Sequence, residues 1–146
     1  IILGEGEDRE LLRRKIIEYE LDELVELKGR VDNVSKYYNQ SRMFVLTSRF
    51  EGLGLVILEA KSHGLPVVSF NCDCGPDEMV KDNVNGYLID NFDIKEMSDK
   101  IYELLCNDDK CLEFSRKAAI GMECFDENLI VKIWDDLFNK LLEDEL

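Results

Sequence analysis

Two glutamates, Glu51 and Glu59, lie eight positions apart on either side of a glycine-bearing turn. The turn consists of Gly52, Leu53 and Gly54 and leads into a predicted helix at residues 55–63, whose free N–H groups can hold an anion. A carboxylate accepts hydrogen bonds from both hydroxyls of a vicinal diol, so Glu59 suits a ribose and Glu51 the hydroxyls of a second sugar. This pattern predicts a nucleotide-sugar site; the open alternative is that both acids are merely solvated side chains.

Short apolar runs alternate along the chain with longer segments of helical period, which is typical of βαβ units and a parallel sheet. An α/β fold with a doubly wound parallel sheet is therefore predicted. The strand at 43–46 would bring the chain to the carboxyl edge of that sheet, where open α/β sheets bind their ligands. The predicted strands span residues 1–3, 24–27, 43–46, 66–70 and 86–89.

Helical segments are predicted between and after these strands. The first is expected to pack one apolar face on the sheet, through Leu11, Leu12, Ile16 and Ile17. Tyr37 and Tyr38 follow on a short helix and are interpreted as core residues with wet hydroxyls rather than as ligands. From about residue 93 to residue 146 the pattern is helical, and it ends in a wide apolar face that either packs in the core or docks on another domain.

Other motifs favour structural interpretations or stay open. Gly4 and Gly6 follow a predicted strand as a dinucleotide-binding turn would, but Arg9 stands where the third glycine belongs, and acids crowd the turn. We interpret it as a tight turn between strand and helix. The loop at 71–78 leaves the same predicted sheet edge as the glutamate-bearing loop and is either a wall of the ligand site or a plain turn. His63 suits the end of a helix and is interpreted as structural.

The net charge of −14 argues against nucleic acid or an anionic membrane as the main partner, because phosphate contacts need clustered Lys and Arg. With no apolar run of about 18 residues and no leader-like segment, neither a membrane span nor a secretory signal is predicted. The five cysteines and one histidine lack the spacing of metal ligands, so no metal site is expected. The apolar start at Ile1 is typical of a buried strand end and is expected of a piece of a longer protein.

Residues 48–56, which read Ser-Arg-Phe-Glu-Gly-Leu-Gly-Leu-Val, are followed by Glu59 and Ala60 and by Gly-Leu-Pro-Val-Val at 64–68. This segment resembles the Glu-x7-Glu region of retaining glycosyltransferases of family 4. The ordered set of motifs is more specific than any one piece and spans roughly residues 1–142. Further similar segments are the Gly-x-Gly turn at 4–6, the Gly-x-Val strand end at 29–31, and residues 75–80 and 85–88.

The resemblance implies a GT-B fold, in which two Rossmann-like domains face each other across a cleft. Residues 1–146 would form the C-terminal, donor-binding domain, and the N-terminal acceptor domain would lie outside this chain. Glu51 would contact the donor sugar as the candidate catalytic residue, with no nucleophilic role assigned, and Glu59 would bind the ribose. The donor-binding residues that the resemblance implies are Gly29, Arg30, Val31, Arg49, Gly52, Leu53, Gly54, Leu55, Val56 and Glu59.

Members of that family transfer a hexose from a nucleotide diphosphate with retention of anomeric configuration, and their chemistry needs no metal. The resemblance therefore implies a nucleotide-sugar donor, with a UDP-sugar favoured, and a glycan or lipid-linked acceptor held mainly by the other domain. It also implies a role in surface polysaccharide assembly, in the cytoplasm or peripherally at the inner face of the membrane.

Two alternatives to this function stay open: a nucleotide-sugar epimerase of the GT-B fold, and a non-catalytic α/β interaction domain. The family's Arg and Lys pair, which neutralises the diphosphate, would precede Ile1. A strongly acidic domain without that pair is poorly suited to a dianionic leaving group. This chain alone is therefore expected to be inactive and to bind nucleotide weakly.

Overall fold

The computed structural model describes residues 1–144 and shows two compact units, one spanning Ile1–Tyr37 and one beginning at Tyr38. The first unit contains strand β1 (Ile2–Leu3), helix α1 (Arg9–Glu18) and strand β2 (Leu27–Gly29). Helix α2 (Val34–Tyr38) follows. Strands β1 and β2 pair in parallel, with Ile2 opposite Leu27.

The second strand was predicted at 24–27, and this position is wrong. Leu24 lies in a turn, because the N–H groups of Leu24 and Val25 both donate to the carbonyl of Leu21, at 2.9 and 2.8 Å. The strand starts only at Leu27, where pairing with β1 becomes available. An apolar run therefore marked the approach to the strand rather than the strand itself.

The expected packing of the α1 stripe is also not observed within the described chain. No residue of α1 is buried, and Leu11, Leu12 and Ile17 are exposed. The unit that contains α1 has only a two-stranded ladder, which offers too little apolar surface to cover a helix face.

The second unit carries a three-stranded parallel sheet in the order β3-β4-β5. Helices connect these strands, which confirms the predicted α/β class with parallel pairing. The elements are β3 (Phe44–Leu46), α3 (Leu55–Ser62), β4 (Val67–Phe70), α4 (Pro76–Met79), β5 (Gly86–Ile89), α5 (Ile94–Cys106), α6 (Asp108–Arg116) and α7 (Glu127–Asp144), with short 3-10 turns at Asp90–Phe92 and Glu123–Phe125.

Strand β4 is the centre of this unit and is buried along its whole length. Because side chains alternate across a strand, Val68 and Phe70 face one layer and Val67 the other. Val68 and Phe70 pack with residues of β5, α5 and α6, whereas Val67 packs with Ile57 of α3 and with Met79 of α4. Complete burial of a side chain such as Ile57 contributes about 1.5–3 kcal/mol to folding. These two cores fix α3 and the ends of β3 and β4.

Helix α7 leaves its apolar side chains exposed. The predicted wide apolar face is present, and the rings of Trp134 and Phe138 lie 5.6 Å apart on it. Its exposed residues include Leu129, Ile130, Ile133, Trp134, Leu137, Phe138, Leu141 and Leu142. Within residues 1–144, no helix combines the length and apolar character needed to cross a membrane.

Candidate functional site

The loop between β3 and α3 carries the predicted donor-binding residues and ends in an uncapped helix start. Gly54 precedes α3 with a left-handed backbone, φ 78° and ψ 46°, which a glycine adopts without strain. Its carbonyl accepts a hydrogen bond from Ile57 N–H at 2.8 Å, while none of the described side chains caps the helix. Leu55 and Val56, the first two residues of the helix, are exposed. The start of α3 therefore presents backbone N–H groups to which an anion can bind.

The loop after β4 packs directly against the loop after β3. A Cβ atom on Gly75 would overlap the carbonyl oxygen of Leu53 and lie 2.7 Å from its carbonyl carbon. Burial raises the pKa of the Cys72 thiol, and the negative charge of Glu51 raises it further. Because β3 and β4 are adjacent parallel strands, both loops leave the same edge of the sheet. The loop at 71–78 thus adjoins the loop that carries Glu51, and its role as a wall of the ligand site remains a prediction.

Glu51 and Arg49 occupy the outer part of the β3–α3 loop. Glu51 is half-buried, whereas Arg49 is exposed. No described acid lies within ion-pair distance of Arg49. Phe50, between them, is 72% exposed. Both charged side chains are therefore accessible to a ligand.

Glu59 lies on α3, where its carboxylate meets a tyrosine that the sequence analysis assigned to the core. The hydroxyl of Tyr38 donates to Oε2 of Glu59 at 3.2 Å. Burial, and then the negative charge of Glu59, raise the pKa of Tyr38 to about 12, so the hydroxyl keeps its proton at neutral pH. Tyr38 is buried as predicted, but its partner was missed. The available signal was that a buried tyrosine hydroxyl usually finds a hydrogen-bond partner.

The ring of Tyr38 is held on two sides. His63 stacks on it with a centroid distance of 5.3 Å, and Phe44 meets it edge-on at 5.9 Å. Nδ1 of His63 forms a hydrogen bond of 2.8 Å with the side-chain oxygen of Asn39. His63 thus has a structural role against Tyr38, in agreement with its interpretation from the sequence.

An open cavity of about 550 Å³ lies along α3 beside Glu59. Its apolar lining includes Leu58, Met122 and Phe125, and its charged lining consists of acids only, among them Glu59 and Asp126. A cavity with this lining disfavours a diphosphate because the like charges repel each other. The exposed start of α3 is therefore the better anion site in the second unit.

The other predicted residues lie in the first unit. Gly29 is buried at the end of β2, and Arg30 and Val31 follow it, with Arg30 exposed. In the turn after β1, the guanidinium of Arg9 binds the carboxylate of Glu5 at 2.7 Å and the carbonyl of Leu27 at 3.1 Å. Arg9 therefore bonds to neighbouring protein groups in this turn, which agrees with the interpretation of residues 4–6 as a tight turn.

Comparison with known proteins shows the class of this protein. The family described as "Glycosyl transferases group 1" matches residues 1–120, and the chain belongs to that family. The predicted fold is confirmed: the chain has the Rossmann-like fold of one half of a GT-B glycosyltransferase.

Two curated relatives illustrate the likeness. The amylovoran biosynthesis glycosyltransferase AmsD of Erwinia amylovora is 33% identical over 139 residues, covering 95% of this chain and 39% of AmsD. The poly(ribitol-phosphate) α-N-acetylglucosaminyltransferase of Staphylococcus aureus is 37% identical over 139 residues, covering 94% of this chain and 28% of the relative. The chain thus spans well under half of the length of either relative.

Two solved structures are similar in fold. A mutant of Staphylococcus aureus TarM in complex with fondaparinux, α-GlcNAc-glycerol and UDP superposes with a TM-score of 0.89 at 37% identity, covering 94% of this chain and 28% of that one. The pneumococcal O-GlcNAc transferase GtfA in complex with UDP and GlcNAc gives 0.83 at 26% identity, covering 97% and 29%.

Proposed function

We propose that this chain is the donor-binding domain of a retaining, family 4 glycosyltransferase that transfers a hexose from a nucleotide-diphosphate sugar, with a UDP-sugar favoured. The observation that carries the proposal is the uncapped, exposed start of α3 between Glu51 and Glu59. An anion site with a carboxylate on either side suits a diphosphate that joins two sugars. The complexes of TarM and GtfA with UDP support the choice of nucleotide.

In this proposal each residue has one task. The N–H groups at the start of α3, from Gly54 to Val56, bind the diphosphate as its charge develops during departure. Glu59 accepts from the ribose hydroxyls, and Glu51 accepts from hydroxyls of the donor sugar. The family resemblance assigns residues 29–31 to the base. These groups bind and orient the donor without a metal.

The acceptor is assigned to a partner domain. We propose that a glycan or lipid-linked acceptor binds mainly to an N-terminal domain, and that cations from outside residues 1–146 neutralise the diphosphate. The apolar face of α7, exposed in this chain, offers that domain a surface to dock on. We propose that the sugar transfer takes place in the cytoplasm or peripherally at the inner membrane face, and that it serves the assembly of a surface polysaccharide. The relationship to an amylovoran biosynthesis enzyme supports this pathway class.

Replacing Glu59 with alanine in the complete protein is expected to weaken UDP binding by about 1.5–3 kcal/mol, or roughly 10- to 150-fold, because a charge-assisted hydrogen bond to the ribose is lost. Isothermal titration with UDP measures the change. Glu18→Ala is the matched control, since Glu18 is an exposed helical glutamate at the end of α1, outside the proposed site. Unchanged affinity in Glu59→Ala would indicate a surface acid and a non-catalytic domain.

The purified chain of residues 1–146 is expected to transfer no sugar, because neither the acceptor domain nor the proposed cations belong to it. Incubation with UDP-glucose or UDP-N-acetylglucosamine and a glycan acceptor, followed by mass spectrometry, tests this expectation. Robust sugar transfer by the isolated chain would overturn the proposal that the acceptor site and the cations lie outside this chain. Conversion of the nucleotide sugar by the complete protein without any acceptor would indicate an epimerase instead.

A further inference from the structure

The carboxylate of Glu59 is at the end of a flexible side chain on an exposed helix surface. A glutamate in this position samples several rotamers, and fixing it on a ligand costs conformational entropy. In this structure the hydroxyl of Tyr38 already binds one of its oxygens, Oε2, at 3.2 Å. A carboxylate has about four lone-pair sites, so this single bond orients Glu59 and leaves capacity for a diol.

The group that orients Glu59 is itself fixed. Tyr38 is 8% exposed, and its ring packs between His63 and Phe44. Glu59 and His63 are four positions apart and therefore lie on the same side of the helix end, so that Tyr38 contacts both of them. The bond of His63 to Asn39 fixes the stacked imidazole in turn. The hydroxyl of Tyr38 consequently has little freedom to move away from Glu59.

We propose that Tyr38 is a positioning residue for nucleotide recognition: its hydroxyl holds the Glu59 carboxylate in the orientation that receives the ribose hydroxyls. This inference rests on the proposed function, because it takes Glu59 as the ribose ligand. Tyr38 acts only through Glu59 and touches no substrate. The hydroxyl remains a donor across the neutral pH range, since the pKa of Tyr38 is raised to about 12.

The test compares UDP with 2′-deoxy-UDP as ligands of the complete protein by isothermal titration. Tyr38→Phe is expected to weaken UDP binding by about 5-fold, because one hydrogen bond that orients a charged group is lost while the ring stays. Its affinity for 2′-deoxy-UDP should change less, so the preference for the ribose should shrink. Tyr38→Phe introduced into the Glu59→Ala variant should have no further effect, because the two side chains act as one unit.

Tyr87→Phe is the matched control. Tyr87 is also buried, and its hydroxyl donates to the carboxylate of Glu103 at 2.8 Å, but Tyr87 belongs to the core formed with α5 and α6, and Glu103 lies on α5. The control should lose a comparable hydrogen bond and keep both nucleotide affinities.

The outcomes separate the two levels of the proposal. If Glu59→Ala binds UDP as tightly as the wild type, the proposed ribose contact fails and the role of Tyr38 fails with it. If Glu59→Ala weakens binding but Tyr38→Phe matches the wild type, only the positioning role fails. Additive losses in the double variant, or an equal loss in Tyr87→Phe, would also overturn the positioning role.

Discussion

Replacing Gly75 with alanine should lower the free energy of unfolding by about 3 kcal/mol, because a left-handed backbone and a steric overlap act together. Gly75 has φ 107°, which side-chain-bearing residues rarely adopt. Its added methyl would overlap the carbonyl oxygen of Leu53, a backbone atom that cannot rotate aside like a side chain. The overlap must therefore be relieved by separating the two loops.

The same substitution should weaken UDP binding. Leu53 lies two residues before the start of α3, and the residue between them, Gly54, is buried. A Cβ atom added to Gly54 would lie 3.4 Å from Cδ1 of Ile57, so this turn is packed closely against the helix. A displaced Leu53 carbonyl shifts this turn and with it the N–H groups proposed to bind the diphosphate. A displacement of 1 Å in such a site can cost on the order of 100-fold in function.

Urea unfolding measures the first effect and UDP titration the second. Gly52→Ala is the stability control, because Gly52 lies in the same loop with no atom within 4 Å of an added Cβ and no positive φ. That variant should unfold within about 0.5 kcal/mol of the wild type. If Gly75→Ala is as stable as Gly52→Ala, the two loops are not in contact in solution.

The elements that position the site were largely predictable, because their signals are local. Strand β5 occupies the predicted residues 86–89, and β3 and β4 each start one residue later than predicted. Helix α3 begins at Leu55 as predicted, directly after Gly54. The helix ends shortly before Gly64, which has a left-handed backbone. Continuous apolar runs bounded by glycines leave few other arrangements.

Contacts between distant residues were not predictable from the pattern. Tyr38 and Glu59 are 21 positions apart, and neither one alone indicates the other. The contact of Gly75 with Leu53 depends on which strands are neighbours, and the alternation of strands and helices does not determine that order. Leu24 illustrates a further limit, because an apolar residue before a strand cannot be distinguished from the strand by hydropathy alone.

A buried lysine is the feature that sequence reasoning missed most completely, because lysines are almost always at the surface. Lys61, near the end of α3, is 2% exposed. Its Nζ donates to the carbonyl of Met79 and, at 3.2 Å, to that of Ile120. A neutral amine has two N–H groups and can satisfy both carbonyls. Burial, and then the nearby charge of Lys81, lower the pKa of Lys61 to about 8.

This shift makes the stability of the fold depend on pH in a defined direction. The unfolded chain keeps the Lys61 proton up to its ordinary pKa of 10.5, whereas the folded chain releases it near pH 8. Between these values the unfolded state binds more protons, so the contribution of Lys61 to the free energy of unfolding rises with pH. Below pH 8 both states are protonated, and folding must bury the charge.

Lys61→Met removes this titration while it keeps the length of the side chain. Above pH 8, where Lys61 is neutral in the folded chain, the variant should be less stable than the wild type, because the carbonyl of Met79 loses its described donor, at a cost of about 1–3 kcal/mol. The difference should be smallest near pH 7 and should grow between pH 8 and 10.5 by as much as about 1.4 kcal/mol per pH unit. Urea unfolding of both proteins at several pH values measures it.

Other groups that titrate in this range are common to both proteins, so the difference between wild type and variant isolates Lys61. Lys132→Met is the matched control, because Lys132 is exposed on α7 and its replacement therefore removes no buried charge. Its difference from the wild type should stay constant over the same interval. A constant difference for Lys61→Met as well would mean that Lys61 keeps its proton in the folded chain, and that hydrogen bonds to the two carbonyls stabilise a buried cation.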